Sequence, residues 1–296
     1  MTKLNSDIII PPKPRSLLLF FSLAFILSWI AWLPAALASH ELLLWPVSPI
    51  LTGVLGAFGP FIAAVVTARR FAGKAGLKAL ARRFLVWRVG WTWYAFVLGW
   101  PMLLSLTKTG VAVLFGGAPP DFGQPPFVRL YPLPPELLAT TSLWVFLPFV
   151  FLQQMLLGSS MGEELGWRGY ALPRLQANHS ALRASLILGS LWSLWHFPLW
   201  LTKGQATPTS GLGWSVLGLM ATTILFTWVY NNTNGSLLLA LLFHTAIGLT
   251  NLFLAAADTH PLVEVGLTWA LALLIIRRWG AYRLVCAGEQ ASTHRM

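Results

Sequence analysis

Stretches of about 20 apolar residues, the length a helix needs to cross roughly 30 Å of hydrocarbon, recur from one end of this chain to the other. No other feature narrows the fold as much. In lipid every backbone N–H and C=O has to be paired internally, so runs of this kind fold as helices that bundle together. Eight can be read, at 16–38, 46–68, 91–115, 138–162, 182–201, 213–231, 236–257 and 262–277. Hydrophobic residues make up 56% of the 296, spread too evenly for a soluble domain carrying one anchor. The expectation is an all-α, polytopic membrane helical bundle of eight transmembrane helices, one integral domain over residues 1–296. The first run ends in Ala36-Leu37-Ala38, which resembles a signal-peptidase site. Its apolar stretch exceeds the roughly 7–15 residues of a signal peptide, so it reads as a retained helix.

The charges test the count. A net charge of +11 would suit a nucleic-acid partner, but the basic residues alternate from loop to loop instead of gathering on one surface. With the N-terminus inside, the cytoplasmic segments receive Lys3, Lys13 and Arg15, then Arg69, Arg70, Lys74, Lys78, Arg82, Arg83 and Arg88. They also receive Arg168, Arg174 and Arg183, and finally Arg277, Arg278, Arg283 and Arg295. Only Lys108, Arg129 and Lys203 fall outside, a positive-inside bias that puts both termini in the cytoplasm. The partner implied is a lipid bilayer, with no nucleic acid, and the location is the cell membrane. Residues 69–90 interleave that charge with Phe71, Leu77, Leu80, Phe84 and Leu85, the pattern of a basic amphipathic segment on the cytoplasmic surface. A basic loop with a purely topological role fits the same residues. The single cysteine, Cys286, excludes an internal disulfide.

Against this background two adjacent carboxylates, Glu163 and Glu164, stand out in the run GEELGWRGY. The chain has only 9 acidic residues. A charge at bilayer depth costs roughly 2.5–3.5 kcal/mol and usually faces a bundle interior or a wet cavity. Glu164 and Arg168 are four apart, so they share a helix face and are expected to form a structural ion pair. Glu163 points elsewhere and is left free to act, as a buried carboxylate suited to general-base work. The next run carries Trp192 and His196, again four apart, so the indole packs on the imidazole; Pro198 ends or kinks that helix. The seventh run carries His244, with Asn251 nearly two turns on along the same face. Counted from the basic boundary at about 1.5 Å per residue, Glu163, His196 and His244 all lie about 14–20 Å deep. One such histidine is as often a satisfied structural group as a functional one. Three runs offering polar groups at one depth favour a site.

At these residues the chain resembles the CPBP family, the CAAX proteases and bacteriocin-processing enzymes also called Abi. The resemblance runs over residues 140–260 and rests on Glu163-Glu164-x-x-x-Arg168, Trp192-x-x-x-His196 and His244. It implies an intramembrane endopeptidase, with a peptide or protein substrate that is prenylated or membrane-embedded. Glu163 and His196 would activate water, and His244 with a neighbouring Asn would stabilise the oxyanion. The chain departs from the family twice. Trp192 replaces the usual Phe, and Gly248 stands where an Asn is usual, leaving either Asn251 from the next turn or a backbone donor as the oxyanion partner of His244. No cofactor is expected, because the chain lacks an H-E-x-x-H motif. A zinc-dependent metalloprotease using Glu163, His196 and His244 as ligands stays open. So does a non-enzymatic membrane scaffold or immunity protein. A proton-coupled transporter fits less well, since no internal repeat is visible.

Overall fold

The computed structural model describes residues 14–43, 47–119, 122–123, 125–130, 134–203, 211–254 and 260–285, and every regular element among them is helical. Lys3, Lys13, Cys286 and Arg295 lie outside these residues. Helix α1 spans Pro14–Ser39, α2 Pro49–Ala57, α3 Gly59–Arg82 and α4 Trp91–Leu114. Two short helices, α5 (Pro126–Leu130) and α6 (Pro135–Thr140), precede a broken run formed by α7 (Leu147–Leu156) and α8 (Ser159–Glu164). That run continues through a π-helical stretch, Leu165–Ala171, into α9 (Leu172–Gln176). The remaining helices are α10 (Ala181–Trp195), α11 (Phe197–Leu201), α12 (Leu212–Asn232), α13 (Leu237–Phe253) and α14 (Pro261–Trp279).

Among the described residues five stretches are long and apolar enough to cross a membrane: Arg15–Ser39, Leu51–Leu85, Trp91–Leu114, Leu143–Gln176 and Leu212–Asn232. Helices α10 and α13 are shorter but apolar, and α14 matches the last expected run. The packing is that of a bundle in lipid. Leu18, Ile30, Leu103, Phe149 and Leu274 project outward, whereas Ser28, Thr67, Ser160, Glu163, Glu164, Arg168, Thr227 and Thr245 are buried inside.

Contacts gather at two ends, as alternating passes require. At one end Ser236 Oγ donates to Val86 O (2.5 Å), Gln176 and Asn231 exchange amide hydrogen bonds, and Ala181 N donates to Tyr282 O. At the other, His40 meets Leu201 O (2.8 Å), Ser105 Oγ donates to Leu254 O (2.7 Å), and Lys108 pairs with Glu264. Arg83, Arg174, Arg277 and Arg278 belong to the first end, which is the basic one.

Two expected boundaries are corrected. The second run does not stop at 68: α3 carries on through a break at Gly73 (φ 60°) to Arg82. Past that break Lys74, Lys78 and Arg82 are exposed, whereas Gly76 and Leu80 turn inward. The fourth run does not stop at 162 either, and Arg168, counted above as a loop charge, is fully buried inside the bundle. Hydropathy alone stops at Glu163 because it scores charge without its partner. The partner is Glu164, and the pair lets the helix continue.

Glycine contact sets where that helix sits. A Cβ on Gly162 would lie 2.5 Å from Ala57 O, and one on Gly166 2.6 Å from Pro60 O. The two glycines bracket the carboxylate pair, so the backbone carrying Glu163 and Glu164 is pressed against the α2–α3 junction. With that face occupied by backbone, the acidic side chains are directed toward α10 and α13.

Candidate active site

Glu164 has no exposed surface and is held from two sides. Arg168 Nη1 donates to its Oε1 at 2.8 Å, and His244 Nδ1 donates to the same oxygen at 2.7 Å. The guanidinium is sandwiched as well, its Cζ 3.9 Å from the Phe226 ring centroid and 4.5 Å from that of Trp192. A buried charge needs such partners, because leaving it unpaired costs several kcal/mol, of order 3–5. Glu164 and Arg168 thus form the lock expected from their spacing, extended by an imidazole and two aromatic faces that the spacing did not announce.

Glu163 is 3% exposed and has a different neighbour. Its Oε2 accepts a hydrogen bond from Trp192 Nε1 at 2.6 Å. The other oxygen, Oε1, stands 4.0 Å from His244 Nε2. That is too long for a direct hydrogen bond. Arg168 does not neutralise this carboxylate by contact; its ion pair is with Glu164.

His244 is fixed by α8 through a ladder of adjacent pairs. Ser159 Oγ lies 3.2 Å from His244 Nε2, and one residue on, Thr245 Oγ1 donates to Ser160 Oγ at 2.9 Å. Because a carboxylate only accepts, Nδ1 of His244 carries the hydrogen and Nε2 faces Ser159 and Glu163.

His196 closes α10, where Pro198 stops the helix as expected. Its Nδ1 donates to Trp192 O at 2.8 Å, which by the same reasoning leaves Nε2 as the basic nitrogen. Four indoles surround the ring: Trp195 at 4.8 Å, Trp192 at 5.6 Å, Trp200 at 6.2 Å and Trp32 at 6.4 Å between centroids. Among the described residues no hydrogen bond joins His196 to Glu163. Trp192 links them, since its ring touches both imidazoles (6.0 Å to His244) while its N–H holds the carboxylate.

Glu163, Glu164, Arg168 and His244 are therefore brought together, and His196 reaches them across Trp192. Asn251 does not join them. It sits exposed in the last turn of α13, and no hydrogen bond ties it to His244 among the described residues. The seven-residue spacing gave it the right face but not the right depth. Gly248, one turn from His244, has no heavy atom within 4 Å of where a Cβ would be. The polar neighbour of His244 Nε2 is instead Ser159, which sequence reasoning passed over. Trp192 as a donor and Phe226 as the platform under Arg168 were missed in the same way.

Among the described residues no three His, Cys, Asp or Glu side chains cluster as a metal site. Within the set Glu163, His196 and His244, one Glu163 oxygen accepts from an indole N–H and His196 packs on that indole.

Residues 140–250 match the family described as Rce1-like, type II CAAX prenyl endopeptidase. A curated relative, CAAX prenyl protease 2 of Methanococcus maripaludis, is 36% identical over 138 residues, covering 44% of this chain. The chain spans about half the length of that relative, 49%.

Proposed function

We propose that the chain is a member of the CPBP family of CAAX proteases, which it resembles through residues 140–250, and that it is an intramembrane endopeptidase of the glutamic type. The observation that carries this reading is the pairing of Glu163 with His244 around a 4.0 Å gap, built by α8, α10 and α13. A single oxygen atom spans such a gap with two hydrogen bonds of about 2.8 Å.

The chemistry follows from the donors and acceptors. A water bound at Glu163 gives its proton to the carboxylate as its oxygen bonds to the peptide carbonyl carbon. The basic Nε2 of His196 assists from across Trp192. The carbonyl oxygen becomes an oxyanion. As an imidazolium, His244 keeps Nδ1–H on Glu164 and turns Nε2–H toward that oxyanion, with the Ser159 hydroxyl as a second donor. Glu163 then returns the proton to the leaving amine as the C–N bond breaks. Each well-placed oxyanion donor is worth about 2.7–4 kcal/mol. The substrate is a protein or peptide, prenylated or lying in the bilayer, and the basic end of the bundle faces the cytoplasm of a cell membrane. Residues 69–90 lie against the headgroups there.

The test is cleavage of a prenylated peptide with a C-terminal CAAX sequence by the purified protein in lipid nanodiscs, with and without a strong chelator. Cleavage at an unchanged rate under chelation is the expected result. Activity lost to the chelator and restored by zinc would return the metallo reading. A protein that cuts no peptide in a broad panel, yet co-purifies with a partner, would be a scaffold.

The Gly248 departure gives a second prediction. Space at 248 is open and the position shares a face with His244, so Gly248→Asn is accommodated, with stability changed by no more than about 0.5 kcal/mol. It adds a donor beside Nε2, and turnover of the same peptide is expected to rise with KM unchanged. Lower turnover at full stability would mean that Ser159 and His244 already fill that role.

A further inference from the structure

One cluster of charge at the basic end takes no part in the site above. Arg83, in the 3-10 turn Arg83–Leu85 that follows α3, donates through Nη1 to the Tyr230 hydroxyl, and its Cζ lies 5.5 Å from the centre of the Tyr230 ring. Arg174, on α9, stacks 3.6 Å from the centre of the Tyr170 ring and donates to Tyr170 O at 2.9 Å. The Arg174 and Arg83 guanidiniums lie near enough to one another and to the Tyr230 phenol for their charges to interact. Every ion pair formed among the described residues lies elsewhere, at Lys108–Glu264 and around Glu163, Glu164, Arg168 and His244.

So two half-buried guanidiniums approach a phenol that is 5% exposed, with no carboxylate paired to either among the described residues. The Tyr230 oxygen already accepts from Arg83, which leaves its own proton to be donated, and no acceptor for it stands among the described residues. The backbone makes room for the two side chains to meet. Gly235 takes φ +72° in the turn between α12 and α13, and a Cβ there would lie 2.5 Å from Arg83 Nη1 and 3.2 Å from the Tyr230 oxygen. Its N–H returns to Tyr230 O at 2.9 Å, and Ser236 pins Val86 beside it. Partly desolvated like charges repel, and an anion with several acceptor oxygens relieves the repulsion while using the guanidinium forks and the phenolic proton.

We propose that Arg83, Arg174 and Tyr230 form a binding site for a phosphate group at the basic end of the bundle, one helical turn beyond Phe226. The shared chemistry is a phosphate oxyanion, carried by a lipid headgroup at that face or free in solution. A basic pocket between membrane helices at a headgroup-facing end is a recurring solution for lipid phosphates. The proposal does not depend on the peptidase reading, because occupancy is read from binding and stability alone.

The test uses the full-length protein in an uncharged detergent, followed by its melting temperature. Short-chain phosphatidic acid, the diacylglycerol that lacks its phosphate, and inorganic phosphate against chloride at equal ionic strength are titrated separately. A saturable rise with phosphatidic acid and none with diacylglycerol is expected. Saturation by inorganic phosphate to the same plateau would assign free phosphate, and a response to the lipid alone would assign a headgroup. Arg83→Gln and Arg174→Gln should each weaken the response about 10- to 100-fold, the loss of one charged hydrogen-bond donor. Lys78→Gln and Arg82→Gln, at exposed basic positions, should leave it intact. Tyr230→Phe keeps the ring beneath Arg83 and still loses several-fold in affinity, so the test survives if an arginine variant fails to fold. No response to either phosphate source, or equal responses from wild type and Tyr230→Phe, would overturn the proposal.

Discussion

Glu163→Gln is expected to fold and melt like the wild type and to lose peptide cleavage by about 10²- to 10⁴-fold, the usual worth of a general base. The amide is the right size, and its oxygen still accepts from Trp192 Nε1, so the 2.6 Å contact that orients the side chain survives. What disappears is the ability to take a proton from water. The loss should fall on kcat, since the residue holds no part of the peptide in the proposed reaction. Trp192→Phe makes the complementary case. It restores the family's usual aromatic and keeps a ring beside His196, but it frees Glu163 Oε2, so a smaller loss is expected, accompanied by altered positioning of the carboxylate. Normal turnover by Glu163→Gln, with the melting temperature unchanged, would remove this residue from the reaction and the glutamic mechanism with it.

How far the sequence reaches is best seen residue by residue. The Glu164–Arg168 pair was legible because both members lie on one helix, and helical spacing alone decides whether they meet. The packing of Trp192 on His196 was legible for the same reason. The hydrogen bond from Trp192 to Glu163 crosses 29 residues and joins α10 to α8, so no periodicity could announce it. Ser159 is similar. Its partner His244 lies 85 residues away, and only the ladder that also pairs Ser160 with Thr245 brings α8 and α13 into register. Asn251 shows the opposite error, in which a helical wheel supplied direction without depth. The membrane passes were legible from apolar length, since hydrocarbon thickness leaves little freedom. Their ends were not, because a charge closes a hydropathy window whether or not another buried charge neutralises it. Arg168 is that case. The π-helical turn around it left no compositional trace either, although such turns recur at functional sites.

Arg168→Met should be the most destabilising single change in the bundle's interior, costing about 3–5 kcal/mol and lowering the melting temperature by on the order of 10 °C. Methionine fills much of the space between Phe226 and Trp192 but brings no charge to Glu164, whose Oε2 already lacks a hydrogen-bond partner among the described residues. His244 alone then faces that carboxylate through its 2.7 Å contact, and the imidazole shifts toward it and away from the Glu163 gap. The cost therefore lies mostly in the abandoned acid, and removing the acid should recover it. In the double variant Glu164→Gln/Arg168→Met, the glutamine oxygen still accepts from His244 Nδ1 and no buried charge is orphaned. More than half of the lost stability is expected to return, since replacing both members of a buried pair is far less costly than removing one. Cleavage should return only in part, because the glutamine still orients His244 Nδ1 but no longer brings the charge that favours the imidazolium. A double variant that recovers none of the lost stability would mean that the cost lies in the packing of Arg168 and not in the abandoned acid, and a single variant that melts like the wild type would mean that the ion pair does not hold α8 in place.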